Sequence, residues 1–414
     1  MGNFCCPQAE DCLTLNIWTP AADTQKRPVL VWLHGGAFTS GAGSLPWYDG
    51  QKLASEGDIV VVNVNYRLGA FGFLYYPGIS SGNLGLLDQE AALRWVTENI
   101  ENFGGDPSNI TLMGQSAGAQ SIALLLTRSE AGRLGINRAI VQSAPLGAIP
   151  YAPETAARIG VEFLRALEID PKDTSASEKI REVPTDRILA AQGAAARCVN
   201  EIAPRNGVPA LPFFPVADGA ILPSPRALPQ ALTRAAGKVD LLIGSTRDEA
   251  NVFFIGNAGV HQMEMPSIPA EEIARYSVRR PGGTARQVFI DYVGDHLFTL
   301  PSIEWARDSA RGGRNVYVYR FDWTSQKDEI AAGHCVELPF VFGTRDTYID
   351  APMLAGANFA IVDALSTAIR HSWISFVRTG NPNGAGLPQW PKFTPATEAL
   401  MRIDSICGAV TDHS

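Results

Sequence analysis

Charge is scarce in this chain. Only 18% of its 414 residues are Asp, Glu, Lys or Arg, against about 25% in an average soluble protein. The 42 acidic and 34 basic side chains leave a formal net charge of −8. No basic surplus is present of the kind that binds nucleic acid or an anionic membrane surface. Cysteine is also rare: six residues, too few and too scattered for a disulfide scaffold, and none spaced with His as in a zinc site. Cys5, Cys6 and Cys12 cluster near the start, so a Cys6–Cys12 or Cys5–Cys12 bridge and three unpaired thiols are equal readings; Cys198, Cys335 and Cys407 stand alone. Long apolar runs are missing, since no stretch approaches the ~18 residues of a membrane-spanning helix. The opening Met1-Gly2-Asn3-Phe4-Cys5-Cys6-Pro7 lacks the basic start and apolar run of a signal peptide. These absences lead us to expect a soluble protein without metal or other cofactor, its compartment left open.

What the chain does have is a 46% hydrophobic content, enough for a sizeable core, in a pattern that alternates strands and helices. Leu13–Trp18 alternates apolar and polar residues, whereas Pro28–Leu33 and Ile59–Val64 are near-continuous apolar runs, as in strands buried on both faces. Leu86–Ile100 reads as a helix, Gly104-Gly105-Asp106-Pro107 as a turn, Ile110–Met113 as a strand, Ala117–Leu126 as a helix and Arg138–Gln142 as a strand. Strand signals return at Val239–Gly244 and Asn315–Arg320. Val362, Leu365, Ile369, Trp373 and Phe376 mark a last long helix, stopped by Asn381-Pro382-Asn383-Gly384. This pattern predicts an α/β fold: one domain over residues 1–414, with helical insertions at about 150–235 and 252–312.

Gly114-Gln115-Ser116-Ala117-Gly118 is the sharpest local feature. A G-x-S-x-G pattern is weak alone, but between a short apolar strand and a helix it reads as a nucleophile elbow. Ser116 would sit on a strained turn, with the N–H of Ala117 opening a helix whose dipole favours developing negative charge. A hydroxyl needs a base, and the base needs a third group to orient it, in the chain order Ser, acid, His. Of six histidines, His34 precedes Ser116, His413 is next to the end of the chain, His261 and His296 fall in an insertion, and His371 lies inside a helix. His334 remains, on a loop after a strand. The acid should also follow a strand, and Arg247-Asp248-Glu249 offers Asp248 or Glu249, which sequence logic leaves open. His34-Gly35-Gly36-Ala37-Phe38, again after a strand, suits a loop whose N–H groups face a reacting carbonyl.

These residues, together with ordered motifs along nearly the whole chain, resemble the type-B carboxylesterases, the α/β-hydrolases that include the cholinesterases. The motifs are Glu10–Trp18, Asn65-Tyr66-Arg67-Leu68-Gly69, Gly82–Gln89, Phe103–Pro107, Pro215–Gly219, Glu337-Leu338-Pro339-Phe340 and Asn381–Gly384. The resemblance implies an α/β-hydrolase fold, with a mostly parallel sheet flanked by helices and helical insertions above it. It makes Glu249 the acid and places the oxyanion-binding N–H groups at Gly36, Ala37 and Ala117. It also implies a hydrogen bond from Ser143 to the acid. The first insertion would shape the acyl pocket, with Phe38, Leu211 and Phe213 as candidate contacts. The family usually has Glu where this chain has Gln115, and no Trp precedes Glu10. Both differences argue against a quaternary ammonium substrate. The chain also begins close to the Glu10 motif, whereas relatives carry several dozen residues before it. Leu13–Trp18 should therefore lie at a sheet edge open to pairing with another copy, beside a more open active site. The expectation is a serine esterase acting on neutral carboxylic esters through an acyl-enzyme. An amidase or carbamate hydrolase with the same residues is one rival, and a non-catalytic binding protein of this family another.

Overall fold

The computed structural model of the chain describes residues 8–203, 210–254, 268–325 and 330–411. Cys5, Cys6, His261 and His413 lie outside the described residues. In chain order the strands are β1 (Leu15–Trp18), β2 (Arg27–Leu33), β3 (Val60–Val64), β4 (Tyr75–Tyr76), β5 (Ser80–Ser81), β6 (Gly105–Gln115), β7 (Ile136–Gln142), β8 (Asp240–Thr246), β9 (Val316–Phe321), β10 (Leu400–Ile403) and β11 (Gly408–Val410). Nine of them form one sheet in the order β1-β3-β2-β6-β7-β8-β9-β10-β11, and β4 and β5 make a separate small hairpin. Within the nine-stranded sheet the pairings from β3 through to β10 are parallel, and those of β1 on β3 and β11 on β10 are antiparallel.

Parallel strands need crossovers, and the helices that supply them cover both faces. Alternate residues of β2 therefore enter different cores. Leu30 and Trp32 pack with Val362, Leu365, Ile369, Trp373 and Phe376 of the helix Phe359–Thr379. Val29, Val31 and Leu33 pack with Leu93 and Val96 of the helix Leu84–Asn99 and with Ile122, Leu125 and Leu126 of the helix Ala117–Thr127. Every residue of β3 is buried, which is why its run reads as near-continuous apolar sequence, and its one polar residue, Asn63, is bonded to the Gly43 and Tyr48 carbonyls. A third core, built from Phe163, Phe213, Phe214 and Ala195 among others, lies within the helical stretch containing Pro153–Ala166, Ala176–Glu182 and Thr185–Ile202.

Distant motifs meet as polar pairs. Arg67 grips Asp88 with two hydrogen bonds, Nε to Oδ2 at 2.8 Å and Nη2 to Oδ1 at 2.7 Å. Asn83 exchanges two more with the backbone of Val216, at 2.8 and 2.9 Å. The expected turn at Gly104–Pro107 is partly absorbed into β6. Gly105 pairs with Arg27 and the next pairing is Ile110 with Val29, so the residues between bulge out, held by Asp106 Oδ1 on the Ser108 N–H at 2.9 Å. Among the described residues no helix is long and apolar enough to cross a membrane.

Candidate active site

Strand β6 ends in the middle of the sheet, and its last residue, Gln115, leads directly into the helix Ala117–Thr127. Ser116 joins them at φ 55° and ψ −124°, a conformation that costs a non-glycine residue roughly 1–3 kcal/mol. The close passage explains the flanking glycines. A Cβ on Gly118 would lie 1.9 Å from the Leu33 carbonyl oxygen, and one on Gly114 would lie 2.6 Å from the Gly118 carbonyl carbon. The Ser116 N–H donates to the Gln142 carbonyl at 2.9 Å, which ties the elbow to β7. Ser116 itself is half-buried.

The loop after β2 reaches the same place. Gly36, Ala37 and Phe38 have φ of 121°, 56° and 59°, so three successive residues leave the usual backbone region. The N–H groups of Gly36, Ala37 and Ala117 donate to no described acceptor. A Cβ on Gly35 would lie 2.7 Å from Gln115 Oε1 and 3.1 Å from Ser116 Cβ, so glycine is what lets this loop lie against the elbow. His34 is a support for that loop. It is fully buried, stacks on Tyr66 at 4.4 Å, and its Nδ1 lies 2.8 Å from the Gly35 oxygen. Burial pulls its pKa down to about 4, so it stays neutral.

The two neighbouring acids after β8 have separate partners. Glu249, 2% exposed, turns Oε2 to His334 Nδ1 at 2.5 Å and accepts the Thr246 N–H on Oε1 at 2.8 Å. Asp248 instead accepts from Arg247 at 2.8 and 3.0 Å, from Arg280 at 2.7 Å and from the Ala332 N–H at 3.2 Å. Asp248 thus fastens the loop after β8 to the loop carrying His334, and the Asp248 N–H also donates to the Ala332 oxygen at 2.9 Å. A cavity of about 310 Å3 lies behind this acid loop, lined by Arg247, Arg279, Arg280, Arg320, Asp248 and Asp291. Its wall includes Glu249 but neither Ser116 nor His334.

His334 is buried, and burial opposes its charge. Cys335 and the Glu249 carboxylate offset that and raise its pKa well above the ordinary value. Its Nε2 lies 3.1 Å from Gln115 Nε2, while the Ser116 hydroxyl makes no hydrogen bond to a described residue. Glu337 is also buried, with neither carboxylate oxygen hydrogen-bonded among the described residues. Burial first, and the nearby Glu249 charge second, push its pKa up to about 7.

The remaining expected contacts are placed less directly. Ser143 has φ 49° and donates its N–H to the Gly244 oxygen at 2.8 Å. Its hydroxyl is buried without a partner among the described residues, so the expected bond to the acid is not formed in this conformation. Phe38 packs on Phe73 at 4.9 Å and Phe214 at 5.3 Å, and Phe213 packs on Phe163 at 5.3 Å; both rings are core. Leu211 is half-buried beside them. The rings that do flank His334 are Phe298 at 4.8 Å and Phe253 at 5.5 Å, themselves stacked at 6.1 Å. Sequence reasoning missed both. Phe253 could have been suspected four residues after Glu249, but nothing local marks Phe298.

Comparison with known proteins agrees with this geometry. Residues 2–412 match the model of the carboxylesterase family. The chain is 38% identical over 409 residues to a para-nitrobenzyl esterase of Bacillus subtilis, covering 96% of this chain and 80% of that protein. It is 40% identical over 404 residues to a probable N-octanoylanthranilate hydrolase of Rhodococcus erythropolis, covering 97% and 83%. Among solved structures it is similar to a Geobacillus stearothermophilus carboxylesterase, with TM-score 0.83, 38% identity, and 97% and 84% of the two chains covered. Matches of this extent, on a mostly parallel sheet with a nucleophile elbow, make the chain a member of the carboxylesterase family, a carboxylic ester hydrolase with the α/β-hydrolase fold.

Proposed function

We propose that Ser116, His334 and Glu249 form the catalytic triad of this esterase. Ser116 Oγ attacks the ester carbonyl, His334 Nε2 takes its proton, and Glu249 keeps the other imidazole proton on Nδ1 and stabilises the imidazolium as it forms. The N–H groups of Gly36, Ala37 and Ala117 receive the oxyanion. The imidazolium then protonates the departing alcohol, leaving an acyl-enzyme on Ser116, and water activated by His334 releases the acid. The observation that carries this reading is the buried 2.5 Å contact between His334 Nδ1 and Glu249 Oε2, on a ring whose Nε2 meets Gln115, the residue before the strained Ser116.

Neutral esters are the proposed substrates. Phe253 and Phe298 put apolar surface against His334, and Gln115 places an uncharged amide beside the serine. The name of the Rhodococcus relative points to an N-acyl substrate for that protein, so amide turnover is the second reading to measure. The test is covalent labelling with an organophosphate. The active protein should gain one phosphoryl adduct on Ser116, and Ser116→Ala should lose the adduct and on the order of 10⁶ in kcat. An active preparation whose mass stays unchanged overturns the assignment.

A further inference from the structure

Gln115 is 1% exposed and belongs to β6, yet its side chain points into the chemistry. Its Nε2 lies 3.1 Å from His334 Nε2 and 3.2 Å from Cys335 Sγ. The hydrogen positions follow from the partners. His334 Nδ1 faces the Glu249 carboxylate at 2.5 Å, so Nδ1 carries the proton in the neutral ring and Nε2 bears a lone pair. A lone pair bonds only to the NH2 end of an amide. One Gln115 N–H thus points at His334 Nε2 and the other at Cys335 Sγ, while Oε1 occupies the space beside Gly35 that a Cβ would fill.

The lone pair on His334 Nε2 is the one that must accept the Ser116 proton. We propose that Gln115 is a positioning residue, whose amide caps the Nε2 of His334 whenever the ring is neutral, the state that acts as base, and yields that lone pair to Ser116 when an ester is bound. This inference rests on the triad assignment above. The cap has a second consequence. It bonds the neutral ring alone, because protonation would set an Nε2–H against the amide N–H. It therefore opposes the charged form of His334. The other charged and titratable groups facing the ring are Glu249 on Nδ1, the Cys335 thiol that also meets the Gln115 amide, the buried Glu337, and Asp248 with Arg247 and Arg280 on the adjoining loop.

The test is the titration of His334 in the full-length protein, read by NMR of ring-labelled histidine and assigned by the signal lost in His334→Ala. The acid limb of kcat/KM for a neutral ester is recorded beside it. Gln115→Met keeps the volume and removes the cap, so the His334 midpoint should rise by about half to one pH unit, one neutral hydrogen bond's worth. Gln115→Glu puts a carboxylate at the same atom and should raise it by about one to three units. Gln115→Leu, a second apolar side chain of similar size that also lacks the amide, should shift it in the same direction as Gln115→Met. A midpoint in Gln115→Met equal to or below that of the wild type overturns the proposal, since the amide would then be indifferent to the ring or support its charged form. Should Gln115→Met not fold, a midpoint in Gln115→Leu equal to or below that of the wild type overturns it. The titration needs no turnover. A wild type that hydrolyses no ester defeats the triad assignment, and an active wild type with unmoved midpoints defeats only the cap.

Discussion

Glu249→Gln and Asp248→Asn, made separately, should fail in different ways. The Glu249 amide keeps an oxygen for the Thr246 N–H, now 2.8 Å from Oε1, but turns an NH2 toward His334 Nδ1. Nδ1 must then accept, the ring proton moves to Nε2, and the lone pair needed by Ser116 is gone. A wrong tautomer of this kind costs on the order of 10⁴ in kcat, about 5.4 kcal/mol. Folding stability should change little, because the backbone bond is retained. Asp248→Asn leaves the His334 tautomer alone and loses charge pairing instead. Removing one partner of a buried ion pair costs about 3–5 kcal/mol when the other charge stays buried. Here Arg247 and Arg280 are 39% and 38% exposed, so water recovers part of that, and the Asn oxygen still meets the Ala332 N–H. About 2 kcal/mol of stability should be lost, with kcat within about threefold of wild type. Urea unfolding and initial rates on one chromogenic aryl ester, measured on the same preparations, give both numbers. Equal losses of kcat in the two variants, or a Glu249→Gln enzyme retaining a tenth of wild-type kcat, would refute the division of labour.

Three further outcomes are expected. Glu337 is protonated in the fold up to about pH 7, against an ordinary value of 4.5; the folded state holds the extra proton, so the group's contribution to stability falls as pH rises between those values. The stability difference between Glu337→Gln and wild type should then move in the variant's favour by ~1.4 kcal/mol per pH unit across that window, and a difference independent of pH would be contrary. Choline esters should turn over more slowly than isosteric neutral esters, since position 115 carries an amide and no carboxylate to attract a quaternary ammonium group; the ratio of kcat/KM values decides. Among the described residues β1 pairs with β3 alone, and Leu15–Trp18 carries no charge, so copies should associate through this edge; light scattering that reads a monomer at every concentration would count against it.

Most of the sheet was legible because the physics that forms it is local. Buried parallel strands must be apolar on both faces, so β2, β3, β7, β8 and β9 announce themselves as short apolar runs, each within two residues of its observed limits. The strands that escaped notice are those whose existence depends on a neighbour. Leu400–Ile403 is a four-residue run with Arg402 in it, and it becomes β10 because Leu400–Ile403 pairs residue by residue with Val318–Phe321. β11 follows only because β10 is there to receive it. The bulge in β6 is of the same kind: Asp106-Pro107 reads as a turn, and only the pairing of Gly105 with Arg27 draws it into a strand.

The site divides along a similar line. Backbone requirements are written in residue types, so the elbow at Ser116 and the Gly35-Gly36 loop can be read where they stand, each glycine answering to a carbonyl or side chain that a Cβ would strike. Which acid faces His334 is not a property of either acid. Asp248 and Glu249 are adjacent, and what separates them is that Asp248 meets Arg280, 32 positions on, while Glu249 meets His334, 85 positions on. The contact between Gln115 and His334 spans 219 positions and leaves no pattern in either segment. Its sense, donor to acceptor, depends on a third residue, Glu249, which fixes the proton on the far side of the ring. A glutamine beside a nucleophile is therefore uninformative as sequence, and becomes a control on the base only once the tautomer of His334 is known.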